Sequence, residues 1–174
     1  MQWPWLISDT HFGHRAIIEY EKRPFQDCID MEKTIINNWN SVVKKEDRVF
    51  HLGDFAFHPL DVTKKIVEQL NGQIYLVQGN HDTHSVNWYR DCGIKECVKY
   101  PILMWKFLLL SHEPLYLEKT TPYRNVHGHI HGNRTLSNKH FNVSVENINY
   151  TPISLKEVLK QIELDFDITE EVEG

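Results

Sequence analysis

Short apolar runs alternate with polar clusters and helical stretches through the first half of the chain. "WPWLIS" (3–8), "RVFHLG" (48–53) and "QIYLVQG" (73–79) are each apolar enough for a buried strand. Between them, "HRAIIEYEK" (14–22) and "DMEKTIINNWNSVVKK" (30–45) predict helices; in the second, Ile35, Ile36, Trp39, Val42 and Val43 fall at helical spacing. "PLDVTKKIVEQLNG" predicts a helix starting near Pro59 and stopping at Gly72. After residue 95 strands dominate. "IKECVKYPILMWKFLLLS" (94–111) holds two or three, and "NVHG" and "FNVSVE" are further short ones. "SLKEVLKQIEL" (154–164) closes the chain as a helix, with Ser154 and Glu157 spaced for a capping box. The first half therefore predicts parallel β-α-β units, and the second an added hairpin or meander.

Composition narrows the class. At 174 residues, 41% hydrophobic and 25% charged, the chain is expected to form a single domain, 1–174, with an unstapled core. No apolar run approaches the ~20 residues of a membrane span, and the N-terminal stretch lacks the basic n-region of a signal peptide, so a cytoplasmic location is expected. Cys28, Cys92 and Cys97 have no metal-ligand spacing and read as reduced thiols. A net charge of −5 disfavours nucleic acid as a partner, although it leaves a small anionic substrate open if metal ions reverse the local field.

Eleven histidines stand out, and many crowd into "DTHFGH", "GNHDTH" and "HGHIHG". Polar clusters follow five apolar runs. They are Asp9-Thr10-His11, Gly53-Asp54, Gly79-Asn80-His81-Asp82, His112-Glu113 and Gly128-His129-Ile130-His131. Ligands of open α/β sheets bind beyond the carboxyl ends of strands, so these clusters are expected to converge. The donors Asp9, His11, Asp54, Asn80, His112, His129 and His131 mix oxygen with imidazole and exclude thiolate. Such a set suits Mn, Fe or Zn better than Mg or Ca. Seven ligands are too many for one tetrahedral ion but suit two if one carboxylate bridges. Asp9 and His11, two apart in an extended segment, are expected to point to the same side, as are His129 and His131. Two ions ~3.5–4 Å apart are a known device for in-line attack at phosphorus.

His81 belongs to neither ligand set. It reads as the group that protonates the departing oxygen or stabilises the phosphoryl transition state, oriented by Asp82; the plain alternative is a turn residue. His14 faces substrate or starts the first helix. Arg23 and Arg134 are phosphate contacts or solvated loop residues. His51 reads as a satisfied core histidine, His127 as a partner orienting a ligand, and His58, His84 and His140 as surface or loop residues.

The ordered series "DTH", "GD", "GNHD", "SH" and "GHIH", from residue 9 to 131, resembles the calcineurin-like metallophosphoesterases, in particular the small single-domain bacterial and phage members. The resemblance implies a four-layer αββα sandwich of two mixed sheets. It places one ion on Asp9, His11, Asp54 and His131, and the other on Asp54, Asn80, His112 and His129. Asp54 bridges them, and a hydroxide between the ions is the nucleophile. The implied function is a phosphodiesterase of broad specificity on small-molecule or nucleotide esters, with two divalent transition metals, Mn favoured. A chain this small leaves little room for a specificity cap. Competing readings are a phosphomonoesterase or protein phosphatase, a nuclease, and a non-catalytic metal-stabilised scaffold. Either a monomer or a homodimer is compatible with the sequence.

Overall fold

The structure, a computed structural model, describes residues 3–105 and 107–162. Two sheets pack face to face. The first has β1 (Trp5–Ile7), β2 (Arg48–His51), β3 (Gln73–Val77) and β4 (Glu96–Val98) running parallel in the order β4-β3-β2-β1. A two-residue strand, β9 (Ile153–Ser154), joins antiparallel on β1. The second sheet is ordered β5 (Ile102–Met104), β6 (Leu108–Leu110), β7 (Arg124–His127) and β8 (His140–Asn142). β5 and β6 form the expected hairpin, but β6, β7 and β8 are parallel, which corrects the expected meander. Both sheets are mixed, as the αββα architecture requires.

Period-two alternation sends each strand of the first sheet into two cores. Ile7, Val49, Ile74 and Leu76 face the helices. Leu6, Phe50 and Val77 face the second sheet, where Leu108, Leu110 and Val126 meet them. The helical layer comprises α1 (Arg15–Tyr20), α2 (Cys28–Val42), α3 (Leu60–Val67) and α4 (Val86–Asp91). α2 begins where Asp27 caps the N–H of Asp30, and it buries Met31, Ile35 and Trp39 on one face. Trp39 is fully buried, and its indole N–H donates to Asn71 O at 2.8 Å. Truncating such a residue to alanine costs about 3–5 kcal/mol. α5 (Leu155–Gln161) packs Leu155, Val158 and Leu159 into the inter-sheet core. The segment after β6 meets the β7–β8 surface, with Asn125 Oδ1 accepting from Leu115 N and His140 Nε2 bonded to Leu115 O.

Several local expectations change. α3 ends at Val67 rather than at Gly72. α4 carries no apolar periodicity strong enough to read, though Ser85 caps it by accepting from Trp88 N. Ser154 makes no capping bond, because it is held in β9 at the entrance to α5. The last two residues of the expected closing helix, 163 and 164, lie outside the described residues. Cys28, Cys92 and Cys97 are free thiols. Among the described residues no helix is long and apolar enough to cross a membrane.

Candidate functional site

The polar clusters that follow β1, β2, β3, β6 and β7 come together at one end of the sandwich. Asp54 lies at their centre. Its Oδ2 is 3.5 Å from His11 Nε2 and 3.5 Å from His112 Nε2. On one side, Asp9 Oδ1 is 3.9 Å from both His11 Nε2 and His131 Nε2. On the other, Asn80 Oδ1 is 2.9 Å from His112 Nε2 and 2.9 Å from His129 Nδ1, and those two nitrogens are 3.2 Å apart. His129 and His131 thus fall in different clusters.

The route to this convergence differs from the expected one. The segments are not extended: Asp9 (φ 59°), His11 (φ 50°), Asp54 (φ 56°), His129 (φ 70°) and His131 (φ 47°) are all left-handed. Backbone bonds hold them there. His11 N donates to Asp54 O and Asp9 N to Gly53 O, each at 3.0 Å. Two glycines make room. A side chain at Gly128 would collide with Ser8 Oγ and Asp9 Oδ2, and one at Gly79 would collide with the Asp54 carboxylate. Gly79 therefore serves close approach; it has no positive φ.

The polarity of the contacts identifies which atoms carry lone pairs. Asp9 Oδ2 accepts from His129 N and Ser144 Oγ, both at 2.9 Å, whereas Asp9 Oδ1 is buried with no hydrogen-bond partner. His112 Nδ1 contacts Leu52 O at 2.8 Å. A carbonyl can only accept, so Nδ1 is the donor, and in the neutral ring Nε2 offers a lone pair toward Asn80 Oδ1. His11 Nε2 is also buried and unpartnered. His112 Nε2 and Asn80 Oδ1, two acceptors 2.9 Å apart, repel unless a cation lies beside them. Asp9, His11 and His131, and separately Asp9, Asp54 and His112, bring ligand atoms close enough to hold an ion. These residues therefore fit divalent metal ions. Burial foremost, with the Arg23 charge, pushes the His11 pKa well down, and burial raises that of Asp54.

His81 and Asp82 part company. His81 is exposed, with its ring centroid 5.8 Å from that of His11 and 5.4 Å from that of Phe57. Its N–H donates to Asp54 Oδ1 at 2.9 Å. Asp82 is buried, and its oxygens accept from Asp54 N (2.7 Å), Gly79 N (2.9 Å), Phe55 N (3.1 Å) and Tyr89 Oη (3.2 Å). With these donors on it, Asp82 shapes the turn and the Asp54 backbone rather than the His81 ring. The expected His81–Asp82 pairing is corrected accordingly.

His14 Nδ1 lies 3.2 Å from His11 Nδ1, and its ring stacks on Phe57 at 4.2 Å. Arg23 is neither solvated nor at the cluster mouth: it is 4% exposed and bonded to Glu146, Asp9 O and Thr10 O. Arg134 is exposed and lines a cavity of about 520 Å³ that no candidate ligand lines. His140, expected at the surface, is buried and bonded to Ser137 and Leu115. Two glutamates were missed. Glu21 and Glu146 group with His131. Nothing local marks them, since Glu146 acts on residues 15 and 123 positions away. A cavity of about 320 Å³ opens beside Asn80 and His112, lined also by Gln78, Lys99, Ser111 and Glu113.

A two-sheet α/β fold that presents Asp, His and Asn donors from five strand ends defines a class, the metal-dependent hydrolases of phosphoric esters. Residues 5–147 match the calcineurin-like phosphoesterase superfamily domain, and the chain belongs to that superfamily. An uncharacterized protein of Methanocaldococcus jannaschii is 37% identical over 168 residues, 91% of this chain and 90% of that protein. The gene 66 protein of Mycobacterium phage L5 is 33% identical over 90 residues, 48% of this chain and 42% of that protein. The crystal structure of a protein of unknown function from Aquifex aeolicus is similar with a TM-score of 0.74 and 29% identity, covering 92% of this chain and 99% of that one. The nuclease MPE of Pseudomonas putida shares the fold, with a TM-score of 0.51 and 20% identity over 72% of this chain and 60% of that one.

Proposed function

We propose that the chain is a two-metal phosphodiesterase of broad specificity, acting on small-molecule or nucleotide diesters. Asp9, His11, Asp54 and His131 would hold one ion. Asp54, Asn80, His112 and His129 would hold the other, with Asp54 shared. The observation that carries this reading is the crowding of ligand atoms: Asn80 Oδ1, His112 Nε2 and His129 Nδ1 within 3.2 Å, and Asp9 Oδ1 and His11 Nε2 buried without partners. The imidazole content favours Mn, Fe or Zn over Ca, and we favour Mn. Bound there, divalent ions supply positive charge to the phosphoryl oxygens and lower the pKa of an attacking water.

The chain's own residues do the rest. Asp54 sets the distance between the two clusters, pinned by its N–H to Asp82 and by Oδ1 to His81 N. The exposed His81 ring gives a proton to the departing oxygen, or donates a hydrogen bond to the phosphoryl group, from a position that no carboxylate among the described residues restrains. The cavity beside Asn80 and His112 accommodates one ester substituent, and the mouth near His14, Phe57 and His81 leaves the other in solvent.

The test is hydrolysis of bis(p-nitrophenyl) phosphate and of p-nitrophenyl phosphate by Mn-loaded protein. The diester is expected to turn over faster. A tenfold preference for the monoester would make the chain a monoesterase. No metal-dependent turnover of either would point to a binding scaffold.

A further inference from the structure

Arg23 and Glu146 lie far apart in sequence and meet beside the Asp9–Thr10 backbone. Arg23 Nε and Nη2 donate to Glu146 Oε1 at 2.9 and 2.7 Å. The same guanidinium donates through Nη2 to Asp9 O at 2.8 Å and through Nη1 to Thr10 O at 3.2 Å. Withdrawn from water, the Arg23 charge requires a partner of opposite sign. Glu146 Oε1 also lies 3.1 Å from His131 Nδ1. A carboxylate can only accept, so the proton is on Nδ1. In the neutral ring, Nε2 then carries a lone pair, and it faces Asp9 Oδ1.

A simple structural ion pair would not need His131. Here one carboxylate oxygen joins three elements: the loop after α1, the 3-10 turn Val145–Asn147, and the turn after β7. We propose that Glu146 is a positioning residue for the first donor cluster. Held by Arg23, it fixes the tautomer and ring orientation of His131 toward a divalent ion and ties that ring to the backbone carrying Asp9 and His11. The proposal rests on the two-metal reading above. Hydrogen-bond partners behind a metal ligand commonly matter 10–100-fold in affinity.

The experiment titrates Mn²⁺ into metal-free full-length protein by calorimetry, for wild type, Glu146→Ala and Glu146→Gln. The Gln variant keeps the volume, so it guards against loss of the fold in the Ala variant. Its amide oxygen still accepts from Arg23 and His131, but without the negative charge it holds both more weakly. One of two sites is expected to weaken roughly 10–100-fold in the Ala variant and by less in the Gln variant, while the other stays within about threefold in both. Nitrogen-15 NMR of the metal-free protein at pH 9 should show His131 protonated on Nδ1 in wild type and in the Gln variant, and shifted toward Nε2 in the Ala variant. Unchanged affinity at both sites, or a wild-type His131 protonated on Nε2, overturns the proposal alone. Equal weakening at both sites together with a lowered unfolding temperature makes Glu146 structural, which also overturns it. Wild type that binds no Mn²⁺ overturns the two-metal reading, and the proposal with it.

Discussion

The two donor clusters are built differently. The Asp9–His11–His131 cluster is deep: Asp9 is fully buried, His11 is 1% exposed, and the Arg23–Glu146 network backs it from behind. In the Asn80–His112–His129 cluster, Asn80 is exposed, and His112 is held by the carbonyl of Leu52 at the end of β2. One cluster is braced by charges drawn from distant segments, the other by main chain at a strand end. If both clusters hold ions, the one beside the exposed Asn80 is expected to exchange more readily with solvent and substrate than the one on the buried Asp9 and His11.

The largest test of this contrast is removal of metal. Excess chelator followed by dialysis should abolish diester hydrolysis, Mn²⁺ should restore it, and Ca²⁺ should restore it less. Metal analysis against time should show two steps, with the Asn80-side ion leaving first. Full activity after chelation would sink the two-metal reading, and simultaneous loss of both ions would erase the contrast between the clusters.

Next comes the carboxylate between them. Asp54→Asn should lower kcat/KM by at least about 10²-fold, more than Asn80→Ala or His131→Ala, because one oxygen faces His11 and His112 at equal distance. Two ions per chain retained at wild-type affinity would contradict that assignment.

His81→Ala should leave metal content unchanged and lower kcat by on the order of 10²-fold for alkyl leaving groups, with less loss for nitrophenolate, which needs little protonation. Equal losses for both substrates would assign His81 to the phosphoryl oxygens.

The smallest effect lies beneath the buried cluster. Thr10 Oγ1 donates to Phe55 O at 2.8 Å, so His51 Nε2 is the donor in its 3.0 Å contact with Thr10, and Nδ1 is buried without a partner. Burial lowers the His51 pKa to about 3, against 6.5 for a free histidine. Between those values the unfolded chain binds the proton and the folded chain does not. This contribution is therefore whole above pH 6.5 and is lost as pH falls toward 3. Urea unfolding of metal-free protein at pH 7.5 and 4.5 should show a stability gap that is smaller in His51→Leu by about 2–3 kcal/mol. An unchanged gap would mean that His51 is not what titrates.

Much of this was legible in the chain because strands of a parallel sheet end where chemistry gathers. The runs before Asp9, Asp54, Asn80, His112 and His129 needed nothing but their own apolar residues to be read as strands. What was hidden depends on direction and distance. Asp82 follows His81 in sequence, yet the turn sends its carboxylate to the N–H groups of Asp54 and Phe55. Arg23 looks like a loop cation until Glu146, 123 positions on, is brought beside it. β6, β7 and β8 look like a meander, because local pattern does not report whether a long connection returns a strand parallel.

The left-handed backbone at Asp9, His11, Asp54, His129 and His131 has a consequence for how such a chain would decay. A non-glycine residue held in a sparsely populated conformation costs on the order of 1–3 kcal/mol, although Asp and His tolerate this one better than most. The sites where mutation is chemically most damaging are thus the sites where the main chain would gain most from glycine. A lineage freed from the need to hydrolyse phosphoesters would drift first at these five positions, toward Gly or Asn, and would grow more robust to heat as it lost its ligands. Screening relatives for that pattern of substitution separates retired members from working ones before any assay is run.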